Sequence, residues 1–244
     1  MSVVTYESKN EIAIITLNRP DKLNALSVEL GDELRLAWLK FQASDDKVAI
    51  LTGAGDRAFS AGADLSEPPD IWKFAPSVGV DVDKPIIAAV NGVCVGGAAV
   101  LVQFCDLCVM SDTAKFTYPE AKIGISGGLI TSIVERMPHK IAMEFMFGLK
   151  DMTADRAYEV GFVNKVVPQD QLMSSAMEMA EQLRDMAPMV LSMIKRFVDR
   201  TLDKGPTELA GIARRESEAL RESHDFKEGV ASFREKRKAE FKNR

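Results

Sequence analysis

Residues 86–105 run for twenty positions with only Asn91 and Gln103 as polar interruptions. An apolar stretch of about 20 residues can cross a bilayer as a helix. Here two turn signals, Asn91-Gly92 and Gly96-Gly97, cut it. The pattern predicts a buried strand over 86–90, a turn, and a buried helix from Gly97 to about Phe104. A strand and a helix that are apolar all round need cover on every side. That requirement points to a layered α/β core with mainly parallel strands, and not to a membrane protein.

The flanking sequence agrees. Residues 3–6 and 12–17 are β-rich runs separated by a polar link, which predicts a hairpin. Ser27 is placed to cap a helix carrying Leu30, Leu34, Trp38 and Phe41 on one stripe. Strands are predicted at 48–51 and 107–110, and one more is expected to end at Val166-Val167. The prolines Pro68, Pro69 and Pro76 make 67–85 irregular, with room for a short helix between them. Beyond Gly127 the chain turns helical. Thr153 caps a helix over 154–160 that Gly161 stops, and further helices follow at 170–186, 189–202 and 206–221. The polar joints around 187–205 divide a core, residues 1–186, from a C-terminal helical region, residues 187–244.

Acids outnumber bases by 36 to 31, a net charge of −5, which disfavours non-specific nucleic-acid binding. Cys94, Cys105 and Cys108 are too few for a disulfide framework and lack the ligand set of a zinc site, so buried apolar roles are expected. The first seven residues show no basic region followed by an apolar one, so no secretory leader is expected and a cytoplasmic location is.

Three segments carry candidate chemistry. The glycine-containing turns Phe59-Ser-Ala-Gly-Ala-Asp-Leu65 and Asn91-Gly-Val-Cys-Val-Gly-Gly-Ala98 follow strands, and the second opens a helix whose first N–H groups are unpaired. Together two such turns can hold one oxygen atom between two peptide N–H groups, the geometry of an oxyanion hole. Neither fits a dinucleotide or P-loop pattern. The third is Tyr118-Pro119-Glu120. Phe116, Ile123 and Ile125 flank this carboxylate, and burial among them would raise its pKa toward that of a useful acid or base.

In order along the chain, these segments resemble the enoyl-CoA hydratase/isomerase (crotonase) family. The likeness also includes Ile15-Thr-Leu-Asn-Arg-Pro20 with Leu23-Asn-Ala-Leu26, Lys84-Pro-Ile-Ile-Ala-Ala-Val-Asn-Gly92, Phe116-x-x-Pro-Glu120, Gly161-Phe-Val-Asn-Lys-Val-Val-Pro168 and Glu228-Gly-Val-x-x-Phe233. The resemblance implies a spiral of ββα units followed by helices that build a homotrimer or homohexamer. It implies an acyl-CoA thioester as substrate and no separate cofactor or metal. By matching positions, the N–H groups of Ala63 and Gly97 would hold the thioester oxygen. Ala61, Asp64 and Leu65 would lie along the CoA path, with Lys22 toward the nucleotide end, and Glu120 would be the acid/base.

The chain also departs from that family. Val100 stands where hydratases usually carry the first of two glutamates, so one carboxylate remains, which favours double-bond isomerisation over hydration. The loop Gly124-Ile-Ser-Gly-Gly-Leu-Ile130 is contracted, and residues 67–84 are shorter than the usual segment over the acyl pocket. Trp72 and Phe74 are candidates both for lining that pocket and for core packing. The basic residues of 233–244 fit either a solvated helix face or contacts to CoA phosphates. A non-catalytic acyl-CoA-binding or scaffold protein is the alternative from a different class, and RNA binding through 233–244 is a third.

Overall fold

The computed structural model describes residues 2–244. It opens with the expected hairpin, β1 (Val4–Lys9) antiparallel to β2 (Ile12–Leu17). Asn10 and Glu11 take positive φ at the turn, the conformation that matches strand twist in a tight hairpin. A 3-10 turn at Pro20–Lys22 leads to α1 (Val28–Ala43), where Ser27 Oγ accepts the Leu30 N–H at 3.2 Å. At the other end of α1 the Lys84 ammonium donates to the carbonyls of Phe41, Ser44 and Asp46. These are unpaired helix-end and turn acceptors, and a cation suits the negative end of the helix dipole.

Next come β3 (Val48–Gly53), β4 (Ala58–Ser60), β5 (Ile86–Val90), β6 (Val93–Val95) and α2 (Gly97–Gln103). They are followed by β7 (Leu107–Ser111), β8 (Lys115–Thr117), α3 (Glu120–Ile123) and α4 (His139–Met146). After these, β9 (Met152–Thr153), α5 (Ala154–Glu159) and β10 (Lys165–Val167) precede the helices α6 (Leu172–Arg184), α7 (Pro188–Thr201), α8 (Pro206–Glu222) and α9 (His224–Glu235). Thr153 caps α5 through the Arg156 N–H, as its sequence position predicts. No helix among the described residues is long and apolar enough to cross a membrane.

The strands form two sheets. The larger has the order β1-β2-β3-β5-β7-β10 and is parallel from β2 onward. Its central strands β3 and β5 are buried throughout, their side chains alternating between two covered faces. Ala13, Ile15, Ala49, Leu51, Ala88, Val90 and Met110 join the main core with Leu30, Leu34, Trp38 and Phe41 of α1. Ile12, Val48, Ile50, Ile87, Ala89 and Val109 face the other way, under Leu172, Ala176 and Ala180 of α6. The apolar run at 86–90 is thus a central strand between two cores.

The smaller sheet, β4-β6-β8-β9, is not evident from the sequence pattern. Its first three strands are parallel neighbours, with Ser60 opposite Cys94 and Val95 opposite Thr117. Phe59 and Phe116 anchor it in the main core, and Phe116 meets Phe162 edge to face with centroids 5.2 Å apart. Removing a buried aromatic ring of this kind costs about 3–5 kcal/mol. Phe116→Ala should therefore lower unfolding stability by that amount in a denaturant titration, and a loss below about 1 kcal/mol would show that β8 is not anchored there.

Candidate functional site

The three candidate segments begin where three adjacent parallel strands end. β4 runs into residues 61–65, β6 into Gly96-Gly97, and β8 into Tyr118–Glu120. The Gly96 N–H continues the ladder one step further, donating to Thr117 O at 2.9 Å. The carboxyl ends of parallel strands are the usual place for a ligand in α/β folds, because loops there leave the sheet side by side.

The two glycine turns pack against each other. Gly62 has φ +85°, and a Cβ built on it would stand 2.5 Å from Val95 O and 3.7 Å from Gly97 N. Gly96 has φ 52° and ψ −113°, a backbone shape essentially reserved for glycine, and serves as the N-cap of α2. Neighbouring bonds fix the first turn. Leu26 N–H donates to Gly62 O at 2.8 Å, Asp64 N–H donates to Leu26 O at 2.8 Å, and Ala61 N–H donates to Leu23 O at 2.9 Å. Between them the Ala63 N–H has no backbone acceptor among the described residues, and neither does the Gly97 N–H. Both turns thus carry a backbone N–H free of a backbone acceptor.

Asp64 stabilises this turn with its side chain. Its carboxylate takes the Ser66 hydroxyl at 2.6 Å and pairs with Arg19 at 3.2 Å. The Ser66 hydrogen bond, then the Arg19 guanidinium, hold its pKa below the usual carboxylate range. Ala61 and Ala63 are partly buried beside it, Leu65 is 63% exposed, and Lys22 stands exposed on the Pro20–Lys22 turn. The apolar roof over Gly97 comes from Ile71 and Leu26, whose Cδ1 atoms lie 2.7 Å and 3.5 Å from where a Cβ would sit.

Glu120 joins the turns from the β8 side. Its Oε1 lies 3.4 Å from the position a Cβ would take on Gly96. The Tyr118 hydroxyl donates to its Oε2. Burial raises the Glu120 pKa from 4.5, opposed by the Tyr118 hydroxyl, the Gly127 N–H and the Ser126 hydroxyl. The burial has a different source from the one expected. Ile123 is 50% exposed and Ile125 46%, because the four-residue α3 ends at Gly124 with φ 74° and the chain turns outward. Of the expected apolar neighbours, only Phe116 is in the core.

Val100 sits in the first turn of α2, 4% exposed, its N–H bonded to Gly96 O at 3.3 Å. Of the two aromatic candidates, Phe74 is a core residue packed on Gly31 of α1. Trp72 lies against Gly211 of α8, with Arg214 5.7 Å from its ring. Ile71 opens a 3-10 turn at Ile71–Lys73, the short helix expected between the prolines, but no sequence signal marks it as the residue touching Gly97. A cavity of about 460 Å³ opens at the far end of α2 between Gln103, Arg136 and Lys195, away from this cleft.

A parallel α/β core with two glycine turns packed together at its strand ends and a part-buried carboxylate beside them sets the frame for the comparisons with known proteins. The enoyl-CoA hydratase/isomerase family profile matches residues 7–71 and 77–244, and the chain belongs to that family. A probable enoyl-CoA hydratase of Rhizobium meliloti is 35% identical, over 98% of this chain and 97% of that protein. A carnitinyl-CoA dehydratase of Escherichia coli is 38% identical over the whole of both chains. The crystal structure of a carnitinyl-CoA hydratase from Mycobacterium avium superposes with a TM-score of 0.78 at 34% identity over all of both chains. The fold is the crotonase fold of these structures, and the protein is an acyl-CoA-processing enzyme of the hydratase/isomerase type.

The shape of the second turn generates a test. Gly96→Ala forces a side chain into a conformation that costs about 1–3 kcal/mol. It should lower the unfolding midpoint and weaken acyl-CoA binding in calorimetry; unchanged binding and midpoint would mean the turn is not held as described.

Proposed function

We propose that the protein catalyses proton transfer on an enoyl-CoA thioester, with the Ala63 and Gly97 N–H groups holding the thioester oxygen and Glu120 as the acid/base. Ala61, Asp64 and Leu65 line the path of CoA, and Lys22 meets its nucleotide end. The observation that carries this reading is the convergence of two unpaired N–H groups with a carboxylate whose pKa burial has raised.

Charge development supplies the mechanism. Removing a proton next to the thioester sends the C–H electron pair onto the carbonyl oxygen, making an enolate. Donors already in place stabilise that oxygen more in the transition state than in the ground state. Glu120 takes the proton and returns it. With Val100 on the first turn of α2, no second carboxylate is present there to manage water. One base suffices to remove a proton at one carbon and deliver it two carbons away, so double-bond isomerisation is the leading reading. Hydration or dehydration is the second, supported by relatives named enoyl-CoA hydratase and carnitinyl-CoA dehydratase. The reaction needs no metal or cofactor beyond the thioester itself.

The exposed stripe on α7, made of Met189, Val190, Met193, Ile194, Phe197 and Val198, supports assembly of residues 187–244 into a homotrimer or homohexamer. Light scattering of the purified chain should give a multiple of three protomers, and a monomer would remove this part of the proposal.

Glu120→Gln should keep acyl-CoA binding and lose turnover by about 10²–10⁴-fold, the usual contribution of a positioned acid/base. Parental turnover by that variant would exclude Glu120. For the parent, the rate should fall as pH drops through a midpoint above 4.5, because the base must be ionised and its pKa is raised. Incubating unsaturated acyl-CoAs in deuterated water separates the readings by mass spectrometry. A moved double bond with deuterium exchange marks isomerisation, and a gain of water marks hydration. Binding without any exchange marks the non-catalytic alternative.

A further inference from the structure

We infer that Tyr118 is a positioning residue for Glu120: its hydroxyl anchors one carboxylate oxygen and leaves the other as the proton carrier. The inference deepens the reading of Glu120 as the base and rests on it for its catalytic meaning. It does not rest on it for its geometry.

The two oxygens of Glu120 have different surroundings. Oε2 accepts the Tyr118 hydroxyl. Oε1 faces the Gly96 backbone, where the missing side chain leaves the approach open. Gly96 immediately precedes the Gly97 N–H, so Oε1 is the oxygen directed toward the anion-holding turn. Tyr118 is itself held in place. It is 4% exposed and packs on Phe145 of α4, with ring centroids 5.7 Å apart and a tilt of 47°. Its position two residues before Glu120, across Pro119, ties the anchor and the carboxylate to the same end of β8.

The groups facing Glu120 can be counted by element. From the end of β8 comes the Tyr118 hydroxyl, from the loop after α3 the Ser126 hydroxyl and the Gly127 N–H, and from the turn before α2 only Gly96. Lys122, on the same short helix, is directed at Gly148, its Cε 3.6 Å from where a Cβ would be. Tyr118 is therefore the one titratable group in direct contact with the carboxylate among the described residues. It is a neutral donor, since burial and the adjacent carboxylate push its own pKa up.

This arrangement suits an enzyme with a single carboxylate. In the forward step the substrate C–H bond breaks, the proton bonds to Glu120 Oε1, and the electron pair moves to the thioester oxygen. In the return step that O–H bond breaks, the second carbon of the dienolate supplies the electron pair for the new C–H bond, and the thioester C=O re-forms. Tyr118 exchanges no proton with the substrate. It keeps the carboxylate from rotating and favours its ionised form, against the burial that disfavours it.

The decisive experiment reads Glu120 directly. The full-length protein is labelled with ¹³C at glutamate side-chain carboxyls and titrated by NMR; the signal absent from Glu120→Gln is Glu120. Tyr118→Phe removes the donor and keeps the ring, so the ionised form loses stability and the Glu120 midpoint should rise by about one pH unit. An unmoved midpoint overturns the inference. The acid limb of the pH–rate profile should shift upward by the same amount. A uniform loss of rate with the limb in place would mean that the residue is only structural. Parental turnover by Glu120→Gln would sink the base reading, while the NMR midpoint still decides the pairing. If Tyr118→Phe does not fold, 3-fluorotyrosine at position 118 provides a stronger donor of nearly the same shape. It should lower the midpoint, and no shift would again overturn the inference.

Discussion

The lateral register of three short parallel strands, β4, β6 and β8, determines everything downstream. With Ser60 opposite Cys94 and Val95 opposite Thr117, the chain leaves the sheet at nearly the same level three times. A one-residue slip in a strand turns every side chain to the opposite face. Here it would also carry a free N–H group or the carboxylate away from the others. The pairing is stabilised from below by Phe59 and Phe116 in the core and from above by the Gly96 bond to Thr117 O. The arrangement of the candidate groups thus depends on strand pairing more than on any loop's own preference.

Much of the larger sheet was legible because its signals are local and repeated. Residues 86–90 form the strand that their apolar run predicts, Ser27 and Thr153 cap the helices assigned to them, and Leu30, Leu34, Trp38 and Phe41 are fully buried on one stripe. The smaller sheet was not legible, for a physical reason. β4, β6 and β8 have three residues each, too few to display a period of two. Their pairing joins segments far apart in sequence, which no local window reports. For the same reason the turn at 91–98 shows no sign of the strand inside it.

The segments of the candidate site were legible as neighbours, but their surroundings were not. Ala63, Gly97 and Glu120 come from segments whose order along the chain singles them out, and the fold brings those segments together. What surrounds them followed other rules. Ile123 and Ile125 turn outward past Gly124, Phe74 packs on Gly31, and Ile71 covers Gly97. Each outcome is set by a contact with a distant element. Glu120 illustrates the balance: burial raises its pKa, while Tyr118, Gly127 and Ser126 moderate the rise. Those donors favour the ionised carboxylate that burial disfavours.

Two of the groups in the cleft are peptide N–H groups, which every residue except proline possesses. Side chains around them can change over evolutionary time without removing them, provided the backbone path survives. Relatives only about a third identical to this chain retain its architecture over full length. A cleft whose donors belong to the main chain therefore constrains the path of the backbone more than the identity of the side chains along it.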